Sequence, residues 1–141
     1  MGERMVRVSA IQLPADVQGR GFAERQRKNR RIVLEMLRTA GERKSDLVLL
    51  GEYANLCHRT WSEKRSEYVA DPIPGSFVSA VGREARRFRM NVVLPILGRH
   101  RGVVGNYAVL IDRTGAVTGL YLKAHTTLPE QQFGMTRGDD L

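Results

Sequence analysis

The chain has 141 residues and a formal net charge of +8, from 23 lysines and arginines against 15 acidic residues. This length suits one domain with a buried core, and 42% hydrophobic residues is an ordinary share for a globular protein. The single cysteine, Cys57, excludes a disulfide framework within the chain and favours a reducing compartment. Because the sequence shows no stretch of membrane-span length and no signal-peptide core, we expect a cytoplasmic domain with no membrane partner.

Arginine dominates the positive charge, which raises the alternative of a nucleic-acid partner. The sequence has no basic stripe interleaved with aromatic residues and no Cys/His finger spacing. One dense group of basic residues follows a helical pattern: Arg25, Arg27, Lys28, Arg30 and Arg31. We interpret this group as the solvated face of an amphipathic helix, and DNA or RNA binding as an unlikely alternative.

The first half of the chain predicts a strand, a helix and a strand. Alternating apolar residues predict a strand over residues 5–13, which Pro14 ends. Residues 22–40 carry a helical pattern, and Gly41 is well placed to cap its C-terminus. The apolar run within residues 46–51 predicts a second, buried strand. Together these elements predict a βαβ unit.

The middle of the chain alternates between irregular and regular patterns. Residues 53–68 mix aromatic, charged and thiol side chains, which indicates a loop with a helical piece. After a Pro- and Gly-rich break, Ser76 is a plausible N-cap for a second amphipathic helix that ends near Arg89. A third strand is predicted over residues 91–97, where Pro95 implies an edge, a bulge or an irregular strand end.

A β-hairpin is predicted over residues 106–112 and 116–122, with Gly115 at a turn position that favours a positive φ. No periodic element is predicted from residue 124 to the last residue, Leu141.

Ionisable groups stand at the ends of two predicted strands. Glu52 closes the second strand, Lys123 closes the second arm of the hairpin, and His125 and Glu130 follow. A carboxylate and an ammonium in such positions can act as a general base and an electrostatic clamp. The plainer interpretation is that these are charged strand ends that face water.

The sequence around these charged residues indicates a protein family more specifically than the charges alone do. Five segments match, in order and spacing, along essentially the whole chain: residues 6–12, residues 46–52, residues 106–112 with Gly115, residues 121–125, and Glu130 with Gly138 and Asp139. Taken together they resemble the nitrilase superfamily of carbon–nitrogen hydrolases.

This resemblance implies an α/β fold, the nitrilase-like α-β-β-α sandwich, which usually dimerises through a helical face. It also implies hydrolysis of, or acyl transfer from, nitriles, amides or carbamoyl compounds by a Glu-Lys-Cys triad with no metal or organic cofactor. Glu52 matches the family's general base. Lys123 matches the lysine that stabilises the tetrahedral intermediate, and Glu130 matches a second glutamate that positions lysine and substrate.

The sequence also departs from the family pattern. The family nucleophile is a cysteine some tens of residues beyond the lysine, and the sequence given stops at Leu141. We therefore expect residues 1–141 to form an incomplete, N-terminal portion of the domain, truncated before the cysteine and inactive alone. A homo-oligomer or a second chain with the C-terminal half is the expected partner. A mild further departure is Gly51, where the family usually has proline.

Three functional interpretations stay open. The first is a carbon–nitrogen hydrolase acting on a small amide, nitrile or carbamoyl compound, with its nucleophile missing from this chain. The second is a non-catalytic binding or assembly module that retains the first half of the fold. The third is a hydrolase that uses Cys57, activated by His58 or a nearby lysine, although a lone cysteine is more often a small buried apolar residue. His125 is interpreted as a structural hydrogen-bonding residue rather than a metal ligand.

Overall fold

A computed structural model describes residues 5–14, 16–56 and 66–139 of the protein. Within these residues the elements are, in chain order, β1 (Val8–Ile11), α1 (Phe22–Glu42), β2 (Leu47–Leu50), α2 (Ser66–Val69), β3 (Asp71–Pro72), α3 (Ser76–Phe88), β4 (Asn91–His100), β5 (Val103–Ile111), β6 (Val117–Leu122) and α4 (Leu128–Gln132). In this part of the chain, no helix has the length and apolar character that a membrane span requires.

The strands form one mixed sheet in the order β1-β2-β4-β5-β6, with β3 paired to β4. The pairs β1–β2, β2–β4 and β3–β4 are parallel, whereas β5 runs antiparallel to both β4 and β6. Because β5 is antiparallel to β4 and β6 is antiparallel to β5, β6 runs in the same direction as β1, β2 and β4. The carboxyl ends of β1, β2 and β6 therefore point to the same edge of the sheet, and the predicted βαβ unit is confirmed.

Helices α1 and α3 pack against each other and cover one face of the sheet. Burial of each aliphatic side chain in such a layer contributes about 1.5–3 kcal/mol of transfer free energy. The fully buried side chains between the helices and the sheet include Val33, Leu37, Val48, Val81, Met90, Val92, Leu94, Ile96 and Val109. The core therefore lies between one helical layer and one sheet, as the alternation of the strand residues requires.

The opposite face of the sheet keeps apolar side chains in contact with solvent. Leu49 of β2 is 44% exposed and Leu110 of β5 is 43% exposed, although both belong to interior strands. Val8 and Tyr121 are also exposed. We call this set the open face. Among the described residues, no helix layer equivalent to α1 and α3 covers it.

The prediction that Gly41 caps α1 is wrong, because Gly41 lies inside the helix. The helix ends one residue later, at Glu42, and Lys44 (φ 60°) adopts the left-handed conformation that closes it. Gly41 instead allows α3 to approach closely: a Cβ atom there would lie 2.2 Å from Cγ of Phe88. The glycine is needed for helix packing and not for helix termination.

Two further details of the predicted elements differ. Ser76 is the first residue of α3 and not its N-cap, because Gly75 occupies the cap position and no side chain bonds to the helix end. The hairpin prediction is confirmed at Gly115, which has φ 84°. However, β4 and β5 are longer than predicted, since a tight turn at Arg101 and Gly102 joins them directly.

Pro95 lies inside β4, where it pairs with Ala108 of β5. On the other edge of β4, pairing with β2 ends at Val93 and pairing with β3 begins at Gly98. The carbonyl of Pro95 accepts a hydrogen bond from the Ala54 amide in the gap between them, at 2.8 Å. The missing N–H of proline therefore interrupts no strand pair. The irregularity that Pro95 predicts is this gap in pairing along one edge of β4.

The prediction that no periodic element follows residue 124 is also wrong, because residues 128–132 form the short helix α4. A capping box begins this helix: Thr127 accepts from the Glu130 amide, and the Glu130 carboxylate accepts from the Thr127 amide. The pattern Thr-Leu-Pro-Glu in the sequence is the signal for it, because Pro is favoured in the first helical turn.

Candidate active site

A cleft of about 530 Å³ opens at the sheet edge where β1, β2 and β6 end. Its walls come from residues 12–14 after β1, residues 51–53 after β2, Lys123 after β6, and Thr127, Pro129 and Glu130 around α4. Carboxyl ends of parallel strands are where α/β proteins bind ligands, because the strands hold side chains rigidly at an open edge. The cleft combines this position with three charged side chains.

Glu52 reaches the cleft on a turn that crosses from β2 toward β4. Tyr53 has φ 56°, a strained left-handed conformation for a non-glycine residue. The Ala54 amide donates to Pro95, as described above, and the Ala54 carbonyl accepts from the buried Asn29 side chain at 2.9 Å. These bonds fix the backbone immediately after Glu52 and so fix the direction of its side chain.

A buried network of polar side chains also stabilises the turn after Glu52. The Asn55 side chain donates to the Leu97 carbonyl (2.9 Å) and accepts from the Leu97 amide (3.0 Å) on β4. It also donates to Asp71 (2.7 Å), which forms an ion pair with Arg30. Arg30 thus belongs to this network and is not only part of a solvated helix face. Asn55 ties the turn to the sheet.

Lys123 is held by main-chain bonds on both sides. Its amide donates to the Asn106 carbonyl on β5, and its carbonyl accepts from the Gly138 amide, each at 2.9 Å. A Cβ atom at Gly138 would lie 2.3 Å from the Leu122 carbonyl oxygen, so only glycine allows this approach. The Lys123 ammonium lies 3.0 Å from Glu52 Oε1 and 3.0 Å from Glu130 Oε1.

The three site residues predicted from the sequence are therefore brought together around one ammonium group. Glu52 and Lys123 are not on adjacent strands, since β4 and β5 lie between β2 and β6. The turn after β2 and the length of the lysine side chain close this gap. Burial differs sharply between the two carboxylates: the Glu52 side chain is 54% exposed and that of Glu130 is 4% exposed.

The carboxylate of Glu130 is saturated with donors. Its Oε1 accepts from Lys123, from Asn106 Nδ2 (3.1 Å) and from the Tyr53 hydroxyl, and its Oε2 accepts from the Thr127 amide (2.6 Å) and hydroxyl (3.0 Å). A carboxylate offers about four lone-pair sites, so five donors leave it no capacity for a further partner.

Glu52 is bonded on one oxygen only. Its Oε1 accepts from Lys123 at 3.0 Å and from Asn106 Nδ2 at 2.6 Å. No described residue donates to its Oε2, and the side chain lines the cleft. The two carboxylates thus differ in what they can do: Glu130 is locked, and Glu52 has one oxygen available to a bound molecule.

The electrostatics of the cluster keep Glu130 and Lys123 charged at neutral pH. Burial by itself would raise the pKa of Glu130, but the donors on its carboxylate outweigh burial and lower the pKa to about 2. Burial likewise opposes the charge of Lys123, yet hydrogen bonds and charges from the two glutamates raise its pKa. Burial, followed by the bond to Glu130, raises the pKa of Tyr53, so its phenol remains a donor.

Sequence reasoning missed two polar members of the cluster. Tyr53 follows Glu52 directly and could have been suspected from its position alone. Asn106 is 5% exposed in the middle of β5, where a strand pattern gives no reason to expect an inward polar side chain. A signal did exist, because the predicted hairpin places residue 106 beside Lys123.

The remaining predicted residues have plainer outcomes. His125 is exposed and forms no hydrogen bond with any described residue, so the structural bonding role predicted for it is wrong. Cys57 and His58 lie outside the described residues. A Cβ atom at Gly51 would meet only an ordinary contact, 3.9 Å from the Ile11 carbonyl oxygen. In the described part of the chain, no group of acidic, histidine or cysteine side chains has the arrangement of a metal site.

The chain thus carries a Glu-Lys-Glu cluster at the strand ends of a mixed α/β sheet. The chain belongs to the carbon–nitrogen hydrolase family, whose family model matches residues 7–138. Among curated protein sequences, none matches this chain significantly.

Solved structures support the fold. An amidase from Nesterenkonia sp. superposes with a TM-score of 0.71 at 19% identity, over 96% of this chain and 49% of the amidase. A carbon–nitrogen hydrolase from Helicobacter pylori G27 gives a TM-score of 0.70 at 19% identity, over 95% of this chain and 45% of that hydrolase. A variant of the amidase from Nesterenkonia sp. AN1 in complex with butyramide gives a TM-score of 0.67 at 19% identity, over 96% of this chain and 49% of that amidase.

The chain therefore spans about half the length of these structures. Its fold is that of the nitrilase-like sandwich, present here as the N-terminal portion with one helical layer and one sheet.

Proposed function

We propose that this chain supplies the general base and the oxyanion clamp for hydrolysis of a small amide, nitrile or carbamoyl compound. The observation that carries the proposal is the position of the Lys123 ammonium, 3.0 Å from Glu52 and 3.0 Å from Glu130 at the cleft. An ammonium has three N–H donors, and the two carboxylates use two of them. The third is available to an oxygen of a bound substrate.

The proposed reaction, written for an amide, divides the roles by the bonding of each carboxylate. A cysteine thiol attacks the carbonyl carbon while Glu52 Oε2 takes the thiol proton. The carbonyl oxygen becomes an oxyanion that accepts a hydrogen bond from Lys123. Glu52 then gives its proton to the nitrogen, the C–N bond breaks, and ammonia or an amine leaves. Water, deprotonated by Glu52, attacks the thioester, the C–S bond breaks, and the acid is released. Glu52 then returns the proton to the thiolate.

Glu130 takes no proton in this scheme, because its carboxylate has no free capacity. Its role is to hold Lys123 from the side opposite Glu52, so that the ammonium stays aimed at the cleft. A permanently ionised carboxylate suits that role, since loss of its charge would release the lysine. Its low pKa, about 2, supports the assignment.

The nucleophile is proposed to come from polypeptide outside residues 1–141, either in a longer chain or in a second one. The open face of the sheet supports this proposal. In an α-β-β-α sandwich two sheets pack face to face about 10 Å apart. Exposed Leu49 and Leu110 are the side chains that a second sheet would cover. A homo-oligomer of the completed domain, in the cytoplasm, is part of the same proposal.

An aliphatic amide of a few carbons is the proposed type of substrate. A similar amidase has been solved with butyramide, and another variant of it with acrylamide added to its active-site cysteine. The cleft of this chain has apolar wall residues, Leu13 and Leu56, beside its charged cluster. Such a lining suits a short alkyl group next to a polar carboxamide.

Rates of ammonia release from small amides by the full-length protein test the proposal. We expect Glu52→Gln and Lys123→Ala each to lower kcat at least about 100-fold, the contribution typical of a base or an oxyanion donor. Circular dichroism and the unfolding midpoint should stay close to the wild type for Glu52→Gln, because Glu52 is exposed. Activity within a few-fold of the wild type in both variants would refute the roles. A folded wild-type protein without any turnover would favour the non-catalytic assembly module.

A further inference from the structure

We propose that Asn106 is a positioning residue whose single amide nitrogen holds Glu52 and Glu130 in place for Lys123. The Nδ2 atom lies 2.6 Å from Glu52 Oε1 and 3.1 Å from Glu130 Oε1. Lys123 Nζ contacts the same two oxygens. Two nitrogens and two oxygens thus form a closed ring in which each nitrogen donates to both carboxylates. The part of this proposal that concerns catalysis rests on the proposed function.

The donor inventory of the two nitrogens separates their roles. An amide nitrogen carries two hydrogens, and Nδ2 of Asn106 lies within hydrogen-bond distance of both carboxylates. Asn106 is also buried, with 5% of its surface exposed, so it has neither a free N–H nor the access needed to touch a substrate. The ammonium of Lys123 carries three hydrogens and retains one. Asn106 therefore acts through the glutamates, and Lys123 acts on the substrate.

The charge balance explains why a second bridging donor is needed. Two carboxylates share one ammonium, so the cluster has an excess of one negative charge and an internal repulsion between Glu52 and Glu130. If Lys123 alone joined them, its movement toward an oxyanion would weaken both bonds at once. A neutral donor that stays in place keeps the carboxylates together while the ammonium shifts.

The backbone makes this donor rigid. Asn106 pairs with Leu97 of β4 on one side, and its carbonyl accepts the Lys123 amide at 2.9 Å on the other. The amide and carbonyl of Leu97 are in turn bonded to the Asn55 side chain, three residues after Glu52. A continuous set of bonds thus joins the turn that bears Glu52, the strand that bears Asn106 and the residue that bears the ammonium.

The kinetic test compares Asn106→Leu, which keeps the size and removes both donors, with the wild-type full-length protein. We expect kcat to fall roughly 10-fold to 100-fold, as when a supporting hydrogen-bond partner of a functional group is removed. KM should change less than about 2-fold, because Asn106 does not contact the substrate. The acid limb of the profile of kcat/KM against pH should move to higher pH.

The matched control is Asn91→Leu. Asn91 also lies on a strand and bonds through its side chain, to the Asp46 carbonyl at 3.1 Å, but it is remote from the cleft. Its kcat and pH profile should equal those of the wild type. An Asn106→Leu protein with unchanged kcat and an unchanged pH profile would overturn the proposal, as would a fall in kcat with no movement of the profile.

A second measurement needs no activity. NMR titration of ¹³C-labelled glutamate carboxyl groups follows Glu130 directly in the wild type and in Asn106→Asp. The new carboxylate would replace a donor by a like charge, and we expect the pKa of Glu130 to rise by at least about one unit from its value near 2. An unchanged pKa of Glu130 would overturn the positioning role. This result stands even if no substrate is turned over, so it separates failure of this inference from failure of the proposed function.

Discussion

At the scale of single residues, the cluster shows how two glutamates in one site acquire different properties. Glu130 is buried and bonded on both oxygens, whereas Glu52 is exposed and bonded on one. The difference comes from local structure: the capping box of α4 satisfies Glu130 Oε2, and no group among the described residues does the same for Glu52 Oε2. The sequence predicts two glutamates near a lysine. Only the hydrogen bonds and burial of each carboxylate distinguish Glu130, which holds the lysine, from Glu52, which is proposed as the base.

Glu130 should make folding stability depend on pH. Its pKa falls from 4.5 to about 2 on folding, so the ionised form favours the folded state by about 3 kcal/mol. This contribution is fully present above pH 4.5 and is lost as the pH falls toward 2. Urea unfolding of the wild type and of Glu130→Gln measures it. The stability difference between them should shrink by about 3 kcal/mol between pH 6 and pH 2, whereas a difference that does not vary with pH would contradict this origin.

At the scale of elements, the packing of α1 on α3 depends on a glycine inside a helix. Gly41→Ala would gain about 1 kcal/mol of helix propensity. Its Cβ atom would lie 2.2 Å from Cγ and 2.7 Å from Cβ of Phe88, so the helices must move apart. Overpacking of this kind costs about 1–3 kcal/mol. We therefore expect a net loss of up to about 2 kcal/mol in the free energy of unfolding, measured by urea denaturation.

Two comparisons keep that result interpretable. Gly21→Ala adds a methyl group where no atom lies within 4 Å, so any loss of stability there comes from the N-cap position of Gly21 and not from overpacking. Gly41→Ala combined with Phe88→Ala should lose less stability than the sum of the single changes, because the second change removes the obstructing ring. Additive effects, or a stabilised Gly41→Ala protein, would show that the close approach does not limit packing.

The same elements show how far the sequence predicts the fold. The βαβ unit, both long helices and the hairpin at Gly115 follow from periodicity and turn chemistry. Gly41 and Ser76 were misplaced, because a glycine near a helix end and a serine near a helix start have local preferences that tertiary contacts override. The helix α4 was missed since five residues are too few to show a period, although Thr127 and Glu130 form a recognisable capping box.

The site was predicted less completely than the fold. Glu52, Lys123 and Glu130 were named from family motifs, and the structure brings these three side chains together. Asn106 and Tyr53 were not, because their roles depend on which strands lie side by side and on a left-handed turn. The residue types alone reveal neither property, although the predicted hairpin already places Asn106 beside Lys123. The order β1-β2-β4-β5-β6 places Asn106 between the strands that end in Glu52 and Lys123.

At the scale of the whole molecule, the described residues form one helical layer and one sheet with an open apolar face. The chain spans about half of the similar solved structures, and its cleft lies at the edge of that sheet. We propose that the cleft becomes an active site when polypeptide carrying a cysteine completes the sandwich. Cys57 is the alternative nucleophile, so the location of the reactive thiol decides between two descriptions of the molecule.

The central claim is that Glu52 and Lys123 serve a cysteine that lies outside residues 1–141. Its most direct test is to trap the acyl-enzyme of the full-length protein with a small amide in rapid acid quench, then to map the modified peptide by mass spectrometry. We predict an acyl group on a cysteine beyond this segment, unchanged trapping in Cys57→Ser, and at least about 100-fold slower trapping in Glu52→Gln. An acyl group on Cys57, or trapping unaffected by Glu52→Gln, would contradict the account.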